Sequence, residues 1–301
     1  MTPRPVRLAT RGSPQASTQA QVVADQLRAA TGRAAELVVV ETTGDQRQNV
    51  PLHVIGGQGV FVREIQQAVL DGRADAGVHS AKDLPSTSAA GLVVAAFTRR
   101  RDPADALIGR SLAELEEGAT VATGSVRRRA QLAVVRPDLR FTELRGNIAT
   151  RLGRIPEDGS IVMAVAALEV LGLTDRVAER LDPARFVPAV GQGCVAIEAR
   201  AGDEEMAELL AALEDRATRE AVTVERAFLA ELGAGCALPV GAHAADRRLR
   251  TFLASTDQQG RHVDLIVASD EIELAGDDGD LERARDAART ARDAVGWAAA
   301  G

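Results

Sequence analysis

The sequence predicts an α/β protein with two sheet-based α/β domains followed by a small α+β third domain. Three observations predict it. Short apolar runs alternate with helical patterns through the first two thirds of the 301 residues, which implies strand-helix units and parallel sheets, one per domain. A charged stretch containing proline, RRRDPADA from Arg99 to Ala106, interrupts that series and reads as a hinge. From Asp215 onward the texture changes to a long helix, three short strands and a final helix.

The elements follow in order. VRLAT, Val6 to Thr10, is a strand, and Ser13-Pro14 supplies an N-cap with proline at the first helical position, opening a helix to about Ala30. ELVVVE, Glu36 to Glu41, is the next strand. FVREIQQAVLDG, Phe61 to Gly72, puts Phe61, Ile65, Val69 and Leu70 on one helical face. ADAGVHS is a short strand running into AKDLP, and LVVAAF, Leu92 to Phe97, closes the first domain. Beyond the hinge come a strand (ATVATG), a helix (SVRRRAQLAVV), a strand (RFTEL), a helix start (GNIATRLG), a strand (IVMAV) and a helix (AALEVLG). VGQGCVAIEAR, Val190 to Arg200, is a glycine turn feeding a strand that returns to the first domain. The third domain has a helix from Asp215 to about Leu232, three strands between Pro239 and Ser269, and a helix from Leu281. The expected domains are residues 1–98 with 194–213, residues 104–190, and residues 215–301.

Composition narrows the function. Hydrophobic residues make up 46% and charged residues 26%, ordinary for a globular chain. Aromatics are only 2% with no tyrosine, which argues against stacking platforms for single-stranded nucleic acid. A net charge of -7 disfavours a broad phosphate footprint, so any anion site is local and no nucleic-acid partner is expected. No apolar h-region opens the chain and no run approaches a spanning helix, so the expectation is a cytoplasmic protein without a membrane partner. His53, His79, His243 and His262 lack metal spacing, and no metal is expected. The sequence contains neither a Walker pattern nor a G-x-S-x-G elbow.

Three strand ends share one grammar, running through Gly or Ser into a helix start that carries arginine. They are ATRGSP with Arg11 and Ser13, ATGSVRRR with Thr123, Ser125, Arg127 and Arg128, and LRGNIATR with Arg145 and Arg151. Orphan N–H groups and the positive helix end favour anions, and guanidinium adds bidentate geometry for carboxylate or phosphate. A single such turn is ordinary capping with a solvated arginine. Three of them point to a cleft for a polyanion. Lys82, in VHSAKDLPST, is the only lysine among 36 basic residues and directly precedes Asp83. Cys194 follows GQG and enters an apolar strand, as a buried small hydrophobe does. Cys236, within ELGAGCALPVG, sits among glycines and is the better candidate for covalent attachment.

Taken together, ATRGSP, GGQGVFVRE, VHSAKDLP, ATGSVRRRAQL, LRGNIATRL, PAVGQGCVAIE and GAGCALPVG resemble, in order and spacing, the motif series of the porphobilinogen deaminases, over Val6 to about Gly241. The resemblance implies two domains of type II periplasmic-binding-protein fold, a small α+β third domain and a monomer. It also implies an enzyme that joins four porphobilinogen molecules head to tail, releasing ammonia, and frees hydroxymethylbilane by hydrolysis. The implied cofactor is a dipyrromethane thioether-linked to Cys236. Asp83 is the implied catalytic carboxylate, stabilising positive charge on reacting pyrrole nitrogens. Cofactor contacts are implied at Lys82, Asp83, Thr123, Ser125, Arg127, Arg128, Arg145 and Gly146. Substrate contacts are implied at Arg11, Ser13, Ser80, Arg145, Arg151 and Gln192.

The chain departs from the family pattern at three points. Gln58 stands where lysine is frequent, Gly124 where serine is common, and Val170 where arginine often anchors a carboxylate. Two rival readings share most of these residues: a two-lobed organic-anion binding protein, and a diverged paralogue that holds the cofactor but elongates poorly. The first leaves the third domain and Cys236 unexplained.

Overall fold

The computed structural model describes residues 4–42, 62–233, 238–255 and 265–297. The first strand, β1 (Val6–Arg11), stops at Gly12 and feeds α1 (Pro14–Thr31). Ser13 caps that helix as its sequence requires, accepting from Ala16 N, and Gly32 closes it in the left-handed conformation at φ 72°. Then follow β2 (Ala35–Val40), α2 (Arg63–Leu70), β3 (Ala76–Ser80), a 3-10 turn over Ala81–Asp83, and β4 (Leu92–Phe97).

The second unit comprises β5 (Asp105–Ile108), β6 (Thr120–Ala122), α3 (Val126–Val135), β7 (Arg140–Thr142), α4 (Ile148–Leu152), β8 (Ser160–Ala164), α5 (Val165–Val170) and the two-residue β9 (Glu179–Arg180). The chain returns through β10 (Val195–Arg200) and α6 (Glu204–Ala211). A third unit packs α7 (Arg216–Glu231) and α8 (Asp280–Ala294) on one face of an antiparallel meander, β11 (Val240–Ala245), β12 (Arg248–Ala254) and β13 (Val267–Glu273). Its core joins Phe228 of α7, Leu249 and Leu253 of β12, and Ala284 and Ala288 of α8.

The first sheet has the order β2-β1-β3-β10-β4 and the second β7-β6-β8-β5-β9. This is the expected two-lobed α/β fold with a third α+β unit, but the sheets are mixed and not parallel. β10 runs antiparallel to β3 and β4, and β5 runs antiparallel to β8 and β9. The reason is the chain path. A strand that arrives from the other unit enters its sheet from the opposite end, so each crossing inserts one reversed strand.

That same crossing shortens the predicted hinge. Asp105 and Ala106 belong to β5, all four of whose residues are buried, so the free connection ends near Ala104. The IVMAV strand ends at Ala164 and Val165 already opens α5. β13 continues to Glu273, four residues past the predicted limit. β9 and α6 carried too short or too polar a pattern to be read.

The parallel strands β1 and β3 of one sheet, and β6 and β7 of the other, end in the motifs that carry Arg11, Asp83, Ser125 and Arg145. Carboxyl ends of such strands are where open α/β sheets place ligands.

Candidate active site

Asp83 closes the 3-10 turn at the end of β3. The turn is held from both sides. Ala81 N donates to Cys194 O at 2.9 Å, and Leu84 N donates to Ala81 O at 3.2 Å. Gly191 (φ 69°) presses against it so closely that a Cβ there would sit 3.0 Å from Ala81 Cβ and 3.3 Å from Lys82 N. Left-handed backbone and lack of room together demand glycine in the VGQGC turn. Ser80 Oγ donates to Gln19 Oε1 at 3.1 Å, so Ser80 tethers β3 to α1, and Gln19 was not legible as its partner.

Around Asp83 the structure gathers cations from both units. Burial lowers the Arg151 guanidinium to about 10, with Arg128, Arg145 and Arg11 pushing the same way and Asp83 opposing. Four arginines from three separate motifs, and Asp83, therefore lie within electrostatic reach of one another. Burial likewise pushes the Lys82 ammonium down to about 8, Arg128 and Arg127 adding to the effect and Asp83 and Asp105 resisting it. Arg151 Nε donates to Gly146 O at 2.8 Å, and Gly146 itself takes a φ of 108°.

Arg145 is the least satisfied of the set. Its buried Nε and Nη2 have no hydrogen-bond partner, since Glu143 Oε1 at 3.6 Å is too far for one. Burial lowers its pKa, Glu143 opposing. Desolvated like charges with unmet donors are costly unless an anion completes them. Such a donor set suits a ligand with several carboxylates, as the dipyrromethane and the pyrrole substrate would be.

Arg127 and Arg128 are braced from within the fold. Arg127 gives Nη1 to Val187 O at 2.6 Å and Nη2 to Asp105 Oδ2 at 2.7 Å. Arg128 gives Nε and Nη2 to Asp105 Oδ1, and Nη1 to Val162 O at 3.0 Å. Gln192, 1% exposed, adds a bond from Nε2 to Asp105 Oδ1 at 3.0 Å and leaves Oε1 unpaired. Burial drives the Asp105 carboxyl up, but the two guanidiniums outweigh it and hold it well below the usual carboxylate range. Asp105 was missed because RRRDPADA reads as a charged hinge; alternation into DALI was the available signal.

The other helix starts keep capping geometry. Ser125 caps α3 by accepting from Arg128 N, and Thr123 Oγ1 accepts from Ser125 N at 3.2 Å. A Cβ on Gly124 would approach Leu144 O to 2.9 Å, so this backbone is built for glycine. Cys236, the expected attachment point, and Gln58 lie outside the described residues. Cys194 is buried, and burial raises its thiol to about 12. Among the described residues no cluster of His, Cys, Asp or Glu could hold a metal ion, and no helix is long and apolar enough to cross a membrane.

The family model "Porphobilinogen deaminase, dipyromethane cofactor binding domain" matches residues 6–208, and "Porphobilinogen deaminase, C-terminal domain" matches residues 219–281. The porphobilinogen deaminase of Roseiflexus castenholzii is 48% identical over 241 residues, covering 78% of this chain and 80% of that one. That of Acidothermus cellulolyticus is 48% identical over 246 residues, covering 79% and 74%. Among solved structures, the methionine binding protein MetQ aligns with 71% of this chain and 92% of its own at 16% identity, with a TM-score of 0.46. With both models matched in order and nearly half the residues shared with such relatives over most of its length, the chain belongs to the porphobilinogen deaminase family.

Proposed function

We infer that this chain is a hydroxymethylbilane synthase, condensing four porphobilinogen molecules head to tail with release of ammonia in tetrapyrrole biosynthesis. The observation that carries the reading is Asp83, set among Arg11, Lys82, Arg128, Arg145 and Arg151 where the two sheet units meet.

Each pyrrole of the substrate carries an acetate and a propionate. Arg11, Arg145 and Arg151 would hold these carboxylates, Arg145 through the two N–H groups now unmet. Lys82 would place one compact cation beside Asp83. Arg127 and Arg128, braced by Asp105 and Gln192, would stiffen the wall and offer what donors remain. Ser13, Thr123, Ser125 and Gly146 would present helix-start N–H groups, while Ser80 steadies β3. Asp83 would accept the pyrrole N–H and stabilise positive charge as it develops there, in a site where no dipole need reorganise. When bound through Cys236, the dipyrromethane supplies the pyrrole carbon from which the chain grows.

Domains at residues 1–98 with 194–213, 104–190 and 215–301 fit the three sheets and leave residues 99–103 and 191–193 as paired crossings. The reading takes the chain as a monomer acting in the cytoplasm, and a net charge of -7 fits the lack of a nucleic-acid partner.

Intact mass decides between the readings. Protein from a host that makes porphobilinogen is expected to carry a dipyrromethane, lost in Cys236→Ala, and to form hydroxymethylbilane on addition of substrate. An unmodified mass would favour the organic-anion binding protein, and an adduct without product would favour the poorly elongating paralogue.

A further inference from the structure

We propose that Arg226, on the third unit's α7, is a positioning residue for Asp83, acting through the backbone carbonyls that follow it. The inference rests on the reading of Asp83 as the catalytic carboxylate.

Arg226 Nη2 donates to Pro85 O at 2.7 Å and to Ser86 O at 2.9 Å, across 141 and 140 residues of sequence. The receiving segment has little else to hold it. Among the described residues, positions 85–88 make no backbone-to-backbone hydrogen bond, and Pro85 has no N–H to offer. One guanidinium nitrogen therefore fixes the exit of the turn whose entrance is fixed by β3.

The rest of α7 makes that anchor rigid. One turn earlier, Val222, fully buried, packs in a cluster with Ala81 and Leu84, the residues bracketing Lys82 and Asp83. Next to Arg226 the buried Glu225 accepts from Arg100 Nη1 at 2.5 Å, Gly191 N at 2.8 Å and Ala244 N at 2.8 Å. It thus ties α7 to both chain crossings and to β11. Burial lowers the pKa of the Arg226 guanidinium, and the charge of Glu198, which lies 3.2 Å from His79 on β3, opposes that only in part. Asp83 itself has no part in these contacts. Val222 packs with the residues on either side of Lys82 and Asp83, and Arg226 holds the carbonyls that follow them, so the third unit contributes to the site through α7.

The geometry specifies the test. Both carbonyls are reached from a single nitrogen, so Arg226→Lys keeps a donor able to bridge them while Arg226→Met keeps only the stem. Arg226→Met is expected to lower kcat by about 10- to 100-fold, the cost of a displacement of about 1 Å, with KM changed by less than about twofold. Exchange of the Ala81 and Leu84 amides, which donate to Cys194 O and Ala81 O and hold the turn, measured on cofactor-free full-length protein, is expected to quicken about tenfold. Arg226→Lys should restore most of both. In an Asp83→Glu background, where the carboxylate is already displaced, Arg226→Met should cost less than about threefold. Wild-type kcat in Arg226→Met overturns the inference, as does a loss that multiplies fully onto Asp83→Glu. Failure of lysine to rescue overturns it too, marking a merely structural arginine. If Arg226→Met does not fold, Arg226→Gln carries the same comparisons. Wild-type turnover in Asp83→Glu alone would remove the catalytic role of Asp83 and this inference with it, whereas multiplied losses remove the inference alone.

Discussion

Arg128 donates twice to the same oxygen, Oδ1 of Asp105, from Nε at 3.0 Å and from Nη2 at 2.6 Å. Arg127 takes the other oxygen, so one buried carboxylate supports two adjacent guanidiniums beneath the site. Removing the charge strands both. Asp105→Asn is expected to cost about 3–5 kcal/mol in denaturant unfolding. The folded Asp105 carboxyl lies below its usual 3.8, so on acidification the unfolded chain takes the proton first. Its contribution is present above about pH 4 and lost as pH falls, and the variant should lose less stability than the wild type across that acid limb.

Lys82 offers a pH signature. Its ammonium titrates near 8 where lysine usually titrates near 10.5, so its positive charge fades as pH rises through 8. Substrate affinity should weaken across that window, visible as a rise in KM. Lys82→Arg holds the charge and should flatten the rise. It should also lower kcat several-fold, because a longer planar fork can pair with Asp83 itself. Arg216→Lys, at a side chain 91% exposed, should change neither; wild-type kinetics in Lys82→Arg would make the lone lysine incidental.

Asp83→Glu moves the carboxylate by one methylene. Turnover should fall on the order of a hundredfold, with the bound cofactor retained by intact mass. Asp83→Asn, which keeps the shape and loses the charge, should fall further.

Val170 ends α5, a helix that packs against α1, and stands where the family often has arginine. Val170→Arg should lower KM by about tenfold to a hundredfold, the worth of one added charge-assisted hydrogen bond. An unchanged KM would mean that the existing arginines already saturate the carboxylates.

Cys194 should resist alkylation at pH 8 in the native protein and react only after unfolding, because burial keeps its thiol protonated up to about 12. Peptide mapping after native and denaturing labelling checks this directly.

Much of this protein was legible in the chain. Apolar periodicity located the main strands and helices, Ser13 marked the start of the helix it caps, and the ordered motifs pointed to Asp83 and to arginines that the fold gathers near it. Those signals are local, set by spacing and by backbone geometry at single residues. Strand direction was not local, and the reversed β5 and β10 follow only from the chain crossing twice between sheets. The division of labour among the arginines was not local either. Arg127, Arg128 and Arg145 read alike in sequence, but only the fold brings Asp105 to the first two and leaves Nε and Nη2 of the third unmet. Sequence determined which residues could meet a polycarboxylate. Tertiary structure decided which of them are already neutralised, since a buried cation's partner is chosen by packing across 22 to 141 residues of chain.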